Sequence, residues 1–364
     1  MKIKELASYL EQLAPLPYQE DYDNSGLIIG DPEAELQGVL VTLDVTEDVI
    51  REAVSKGCNL VVAHHPLIFR GLKKLNGRNY VERSVILAIK HDVAVYAIHT
   101  NLDNVVNGVN FKIAEKLGLR NVRILRKKKD TLLKLTVFVP EENSGDLLAG
   151  LHKAGAGNIG NYTDCSFQTS GTGRFRPNEA ANPFIGNKGA LEEVRELRIE
   201  VILPAHLKNQ VLSAMYASHP YEEVAYYLHE LENDNQEAGS GAMGLLAEEM
   251  TPEAFLAHLK NSMNLQVIRF TPVRKTIRKV AVCGGVGSFL LADALRAGAD
   301  AFVTADYKYH EFFDAEGRIL IADIGHFESE VFTKDLLVEI ISKKITNFAT
   351  CLSEVNTNPV NYYY

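Results

Sequence analysis

The chain has 364 residues, of which 46% are hydrophobic and 23% charged, and a formal net charge of −9. This is the composition of a globular protein long enough for two or three domains. The acidic balance argues against a general binder of nucleic acid or of anionic membranes, which needs a basic surface.

The amphipathic start, MKIKELASYLEQLAP, lacks the apolar core of a signal peptide, and no apolar run reaches membrane-spanning length. Cys58, Cys165, Cys283 and Cys351 form no CxxC pair and read as free thiols in a reducing compartment. A cytoplasmic protein is expected.

The first 120 residues alternate in period. GVLVTLDV (38–45), NLVVAHH (59–65) and VAVYAIHT (93–100) predict strands, while TEDVIREAVSKG (46–57) and NYVERSVILAIKHD (79–92) predict helices. Thr46 suits an N-cap and Gly57 the residue just past a helix end. Continuous apolar strands alternating with helices imply a mainly parallel sheet covered on both faces.

RKKKD (126–130) is a short charged break, after which the pattern changes. LKLTVFVP (133–140) reads as a strand and SGDLLAGLHKAG (144–155) as a helix; ELRIEVILP (196–204), HLKNQVLSAMYASHP (206–220) and VAYYLHEL (224–231) then read as strand, helix and strand. A strand ending in proline, a polar turn, a helix and a strand thus occur twice, which predicts a ferredoxin-like α+β unit. ENDNQEAGSGAMG (232–244) reads as a Gly-rich linker out of it.

The first grammar then returns: a capped helix at 251–264, a strand at 279–285, a helix at 288–300, strands at 301–307 and 318–326, and helical spacing over 329–348. The expected organisation is an α/β domain, 1–126 and 237–364, interrupted by an inserted domain at 127–236.

Ligands of open α/β sheets bind beyond the carboxyl ends of strands. The strand 59–63 ends in His64 and His65. The strand 93–98 ends in His99, Asn101 and Asp103; the strand 301–304 in Asp306 and His310; and the strand 319–323 in Asp323, His326 and Glu330. Five of the eleven histidines fall at these four ends. Pro66 restricts His65 to extended conformations and ends the ladder, so two adjacent imidazoles can turn into one cleft.

His326 and Glu330 are four apart and share a helix face. Singly, each residue has a plainer account as a cap, a surface pair or scaffolding. Jointly, His64, His65, Asp103, His326 and Glu330 form a nitrogen and oxygen set suited to zinc, iron, manganese, cobalt or nickel, and large enough for two ions. CGGVGS (283–288) matches no phosphate-loop pattern and reads equally as a tight turn packed beside the site. Asp23 and Asn24 can line the site or cap a turn. HPYEEVAYYL (219–228) reads by default as a solvated helix end.

DNSGLIIGD, AHHPLIFRGLKKL, AIHTNLDN, CGGVGSF and DIGHFESE resemble the signature segments of the NIF-three-like family, also labelled GTP cyclohydrolase I type 2 homologues. GAGNIGNYTDCSFQTSGTGRFRPNEAANPFIG and HPYEEVAYYL resemble the CutA-like or PII-like insert of longer members. The resemblance implies a dinuclear site of two divalent ions per subunit, zinc, iron or manganese. It makes His64, His65, Asp103, His326 and Glu330 the ligands, with Glu330 bridging, and implies a ring-shaped homohexamer.

The function expected is hydrolysis of a nucleotide or phosphoester, with His310 or His99 moving protons. The alternative is a non-catalytic, metal-stabilised scaffold or a ligand-sensing regulatory protein. A coordination position open to solvent would separate the two.

Overall fold

A computed structural model describes residues 1–345 and 349–363. The chain divides into two compact units, Met1–Arg126 with Ala238–Tyr364, and Lys127–Glu237. The second boundary thus falls one residue beyond the expected 236. In chain order the strands are β1 Gly26–Ile29, β2 Val39–Thr42, β3 Leu60–Ala63, β4 Ala94–Ala97, β5 Arg120–Lys127, β6 Leu132–Pro140, β7 Phe167–Phe175, β8 Glu192–Pro204, β9 Tyr226–Leu231, β10 Gly239–Met250, β11 Arg269–Phe270, β12 Ile277–Val286, β13 Ala301–Ala305, β14 Leu320–Asp323 and β15 Thr350–Leu352.

The first unit corrects the expectation of one mainly parallel sheet. It holds two mixed sheets, ordered β1-β4-β3-β2-β15 and β11-β14-β13-β12-β10-β5. β15, β2, β3 and β4 run parallel, with β1 antiparallel at the edge. β12, β13 and β14 run parallel, with β10 and β11 antiparallel to their neighbours. Strand–helix alternation predicts parallel neighbours within each run. It carries no signal that the two runs build separate sheets.

Successive side chains of a strand face opposite ways, which is why these strands are apolar throughout. Val39, Val41, Leu60 and Val62 share one core with Val280, Val282, Val303 and Leu320 of the other sheet. Leu40, Val61 and Val95 face away from it and pack on Val49, Ile50, Ala53 and Val85, from the helices Glu47–Ser55 and Tyr80–Lys90. Each such burial contributes about 1.5–3 kcal/mol.

The helix starts follow their caps: Thr46 Oγ1 accepts from Val49 N at 3.4 Å and Thr251 Oγ1 from Ala254 N at 3.3 Å. Gly57, just past its helix, has φ 67°. The linker at 232–244 is half corrected, because its second half opens β10. Gly, Ser and Ala there meet a neighbouring strand closely: a Cβ on Gly241 would lie 3.1 Å from the Val282 carbonyl. The spacing at 329–348 resolves into the helices His326–Glu330 and Thr333–Lys344, and 346–348 lie outside the described residues. The helix expected at 288–300 is shorter, Leu291–Arg296 after a 3₁₀ turn. Among the described residues no helix is long and apolar enough to cross a membrane. All four cysteines are free thiols.

The insert has the order strand, helix, strand, strand, helix, strand, and an antiparallel sheet ordered β7-β8-β6-β9. This is the element order expected of a ferredoxin-like unit. β6 and β8 each end in proline and pass into a 3₁₀ turn and a helix, as the repeated phrase predicts. β7 has no counterpart in the sequence reading: FQTSGTGRF is a largely exposed edge strand without apolar period.

The HPYEE segment is also corrected. His219 is buried and its Nε2 lies 2.8 Å from the Phe138 carbonyl, while the Tyr221 hydroxyl donates to Glu196 Oε1 at 2.9 Å. The acidic pair Glu222 and Glu223 is solvated, as expected.

Leu135, Val137, Val139, Leu147, Leu151, Val201, Val211 and Met215 give the insert a core of its own. A fragment of residues 128–236 is therefore expected to unfold cooperatively in urea. A gradual, non-sigmoidal loss of its far-ultraviolet dichroism would refute that autonomy.

Candidate metal centre

Three strand ends of the first unit deliver the side chains. β3 runs directly into His64 and His65, whose backbone N–H groups still donate to Thr42 and Leu43 at 3.3 and 2.9 Å. β4 leads through His99 into the short helix Thr100–Asp103, and β14 leads through Gly325, at φ 91°, into the helix His326–Glu330. The adjacent imidazoles do turn into one cleft, with ring centroids 4.9 Å apart.

Each imidazole is held by its Nδ1. For His64 the partner is the Ile98 carbonyl at 2.9 Å, which can only accept, so Nδ1 carries a proton and Nε2 is the atom left to face the cluster. For His65 the partner is Asp44 Oδ1 at 2.7 Å, and for His326 it is Asp306 Oδ2 at 2.6 Å. The Nε2 atoms surround one carboxylate oxygen: Glu330 Oε2 lies 2.9 Å from His65, 3.1 Å from His326 and 3.8 Å from His64. Asp103 Oδ1 is 3.7 Å from His64 Nε2. Ligand atoms on one tetrahedral ion, at about 2.0–2.2 Å from it, are themselves about 3.4 Å apart, so these separations suit shared ions.

Two of the atoms have no hydrogen-bond partner although enclosed: His64 Nε2 and Asp103 Oδ1. Buried polar atoms are rarely left so. Two three-residue sets follow, His64 with Asp103 and Glu330, and His65 with His326 and Glu330, joined by the one glutamate. A third set, His64, His65 and His99, overlaps both.

The electrostatics draw in positive charge. Burial works to lower His65, but its bonds to Asp44 and Glu330 outweigh that and hold it up at about 10. Burial likewise opposes the rise of His326, which Glu330 and Asp306 carry to about 9. Glu330 is held well below the usual carboxylate range against its own burial, by His326 first and the neighbouring imidazoles. Burial, with the Glu330 charge adding to it against the imidazoles, raises Asp103 to about 6. Cys283 also lines the cavity, but burial and the charges of Asp103 and Glu330 push its thiol up. The donor set therefore carries no thiolate.

The CGGVGS loop is the wall behind this cluster. Gly284 N donates to Asn110 Oδ1 and Gly285 N to Ser329 Oγ, each at 2.9 Å, so neither N–H is free for a phosphate. Gly285 has φ 58°, and a Cβ there would lie 2.6 Å from Glu330 Oε1. Asp323 is scaffolding: its carboxylate accepts from Tyr307 N at 2.9 Å and Gly325 N at 3.1 Å, and pairs with Arg269.

The structure brings His64, His65, Asp103, His326 and Glu330 together; all but the fully buried His64 line a cavity of about 900 Å³, as do His99, Tyr22, Phe69, Tyr80 and Phe289. The His99 ring lies 5.2 and 5.3 Å from those of His64 and His65. His310 is not brought there. It is exposed on the 3₁₀ helix Tyr309–Ala315, against Tyr309 and Phe313, because the chain turns away at Asp306, φ 54°.

No spacing in the sequence marks Asp44, although it stands two residues past β2 as His65 stands two past β3. The sequence leaves the role of Asp23 open. It holds His99, accepting from Nδ1 at 2.8 Å through Oδ1, while Oδ2 takes the Thr100 amide at 3.0 Å and the Thr100 hydroxyl.

Burial works to raise Asp23, but the bonds from His99, Thr100 and the Asn24 amide dominate and depress it. A depressed folded value means the unfolded chain binds the proton more tightly. The stabilisation is then fully present above the unfolded value of about 3.9 and is lost as pH falls through the folded one. Asp23→Asn is expected to lower stability to urea by about 1–3 kcal/mol at pH 7, the worth of hydrogen bonds to a charged group. The gap should close progressively below about pH 4. A gap as wide at pH 3 as at pH 7 would exclude this account.

A family model described as Duf34/NIF3 (NGG1p interacting factor 3) matches residues 1–359. A GTP cyclohydrolase 1 type 2 homolog of Halalkalibacterium halodurans is 42% identical over 97% of this chain and 96% of its own length. A Bacillus subtilis protein of the same description is 39% identical over 99% and 98%. Among solved structures, a Bacillus cereus protein related to NIF3 has TM-score 0.87 and 38% identity, covering 100% of this chain and 99% of its own. A Staphylococcus aureus protein has TM-score 0.77 and 31% identity, with the same coverage. A CutA protein of Archaeoglobus fulgidus aligns with 29% of this chain at TM-score 0.22, too low to bear on the insert. With the model match and these identities running over nearly its whole length, the chain belongs to the Duf34/NIF3 family.

Proposed function

We propose that the protein is a dinuclear metal-dependent hydrolase acting on a nucleotide or a phosphoester. The observation that carries this is the convergence of three Nε2 atoms and two carboxylates beside one cavity, with His64 Nε2 and Asp103 Oδ1 enclosed and unpartnered. His64 and Asp103 would hold one ion, His65 and His326 the other, with Glu330 shared. Two divalent ions there supply Lewis acidity and a nucleophile at neutral pH.

The chain's own residues do the rest. Nδ1 bonds to Ile98, Asp44 and Asp306 keep the three imidazoles oriented. His99, held by Asp23, faces the cluster and takes the proton-moving role also expected of His310. Tyr22 and Phe69 stack at 6.4 Å and 16° and offer a flat apolar surface to a base. The family members described as GTP cyclohydrolase homologs favour a nucleotide over other phosphoesters. The ring-shaped homohexamer and the CutA-like character of the insert belong to the same proposal, and sedimentation of the purified protein reads the first directly.

The test is elemental analysis of purified protein followed by a hydrolysis screen of nucleotides and phosphoesters with and without the metal found. His99→Ala is expected to keep its metal and to lose roughly 10²–10⁴-fold in turnover, the usual range for a positioned proton donor or acceptor. A fully loaded wild type that turns over nothing would overturn the hydrolase reading and favour a metal-stabilised scaffold or regulatory protein.

A further inference from the structure

The segment after β15 continues along the first sheet and then crosses to the metal centre. Ser353 N donates to the Val41 carbonyl at 2.8 Å, Ser353 Oγ to Glu52 Oε2 at 2.5 Å, and Glu354 N to Glu52 Oε1 at 2.9 Å. Val355 packs on the core beneath. Beyond it two hydrogen bonds tie the chain next to ligand-bearing elements. The Thr357 hydroxyl donates to Asp44 Oδ2 at 2.6 Å, and Asn358 Nδ2 donates to Glu328 Oε1 at 3.1 Å. Glu328 lies between His326 and Glu330 on their helix. Asn358, Pro359, Val360 and Tyr362 then line the cavity itself.

One carboxylate, that of Asp44, links Thr357 to His65. The Asp44 carboxylate has two oxygens and two partners: Oδ1 meets His65 Nδ1 at 2.7 Å and Oδ2 takes the Thr357 hydroxyl. Asp44 is one-third exposed, with 34% of its side chain accessible, so water competes for Oδ2 and the carboxylate is free to rotate unless something fixes it. A carboxylate that rotates no longer presents Oδ1 to the imidazole. With Nδ1 so held, His65 Nε2 lies 2.9 Å from Glu330 Oε2.

We infer that the C-terminal segment is part of the metal centre, with Thr357 a positioning residue that acts through Asp44 to keep His65 Nε2 aimed at the ion. This rests on the reading of His65 as a ligand. Outer hydrogen-bond partners of metal-binding imidazoles are typically worth 10–100-fold in metal affinity. The hydroxyl, not the bulk of the side chain, carries the role, so serine should replace threonine and valine should not.

The experiment measures zinc affinity of the full chain by competition with a chromogenic chelator, for the wild type, Thr357→Val and Thr357→Ser, beside thermal unfolding of each protein stripped of metal. Thr357→Val is expected to bind zinc about 10–100-fold more weakly, Thr357→Ser to bind within about threefold of the wild type, and the stripped proteins to unfold together. Wild-type affinity in Thr357→Val overturns the inference. So does a Thr357→Ser variant as weak as the valine one, which would put the effect on packing. So does a loss of affinity matched by an equal loss of stability in stripped Thr357→Val, which would make the segment a structural brace. A wild type that binds no zinc fails one step earlier, at the metal centre itself, and removes the role with it.

Discussion

Replacing His64 and His326 together with alanine is expected to take the metal content from about two ions per chain to a small fraction of one. The two histidines belong to different sets: His64 stands with Asp103 and Glu330, His326 with His65 and Glu330. Each replacement leaves its set with two protein donors, whereas protein sites of this kind use three or four. A single replacement spares one set and should leave about one ion.

The buried His64 ring needs a control, because its loss also leaves the Ile98 carbonyl unpaired, at a cost of about 1–3 kcal/mol. His326→Ala alone, at a site with 37% of the side chain exposed, avoids that cost and should still lower the metal content by about half. Elemental analysis of protein purified in parallel reads the result. A double variant with wild-type metal content would show that these side chains are not the ligands.

Gly285→Ala is expected to produce the second large loss, from a residue that offers no donor at all. Its φ of 58° already disfavours a side chain, by about 1–2 kcal/mol. A Cβ would lie 2.6 Å from Glu330 Oε1 and 3.2 Å from His326 Cε1. Neither group can step back freely, since Glu330 is 3% exposed and His326 is tied to Asp306. The glutamate shared by both sets is therefore displaced, and both ions should be affected together.

A melting temperature lowered by several degrees is expected for the metal-free variant, together with a metal content well below the wild type, since loss of even an outer partner costs 10–100-fold in affinity. Gly284→Ala is the gentler comparison: its Cβ would approach Glu330 Cγ only to 3.2 Å, and its φ lies outside the left-handed region. Full occupancy in Gly285→Ala would mean that Glu330 is not held where the loop puts it.

The strand ends mark the clustered residues from the sequence alone. His64 and His65 before Pro66, Asp103 after β4, and His326 with Glu330 one helical turn on are local facts of period and spacing, and local geometry decides where a side chain points. The same holds for Thr46 and Thr251 as caps and for the paired prolines of the insert. What depends on residues far apart in the chain was not legible there. Asp44 precedes His65 by 21 residues and Thr357 follows Asp44 by 313, yet the three form one line of hydrogen bonds. Nothing in the periodicity of either segment marks the other.

His99 and His310 looked alike as residues just past a strand. The tertiary structure separated them, because Asp23 reaches across 76 residues to hold His99 against the cluster, while a left-handed turn at Asp306 sends His310 out to solvent. Likewise the glycines of CGGVGS signalled a tight turn, but only the packed helix His326–Glu330 shows what the missing side chain makes room for. Secondary structure and ligand type follow from short-range sterics and hydration, which the sequence carries residue by residue. Which sheet a strand joins, and which carboxylate orients which imidazole, are settled by burial shared between distant segments, and that exists only once the chain has folded.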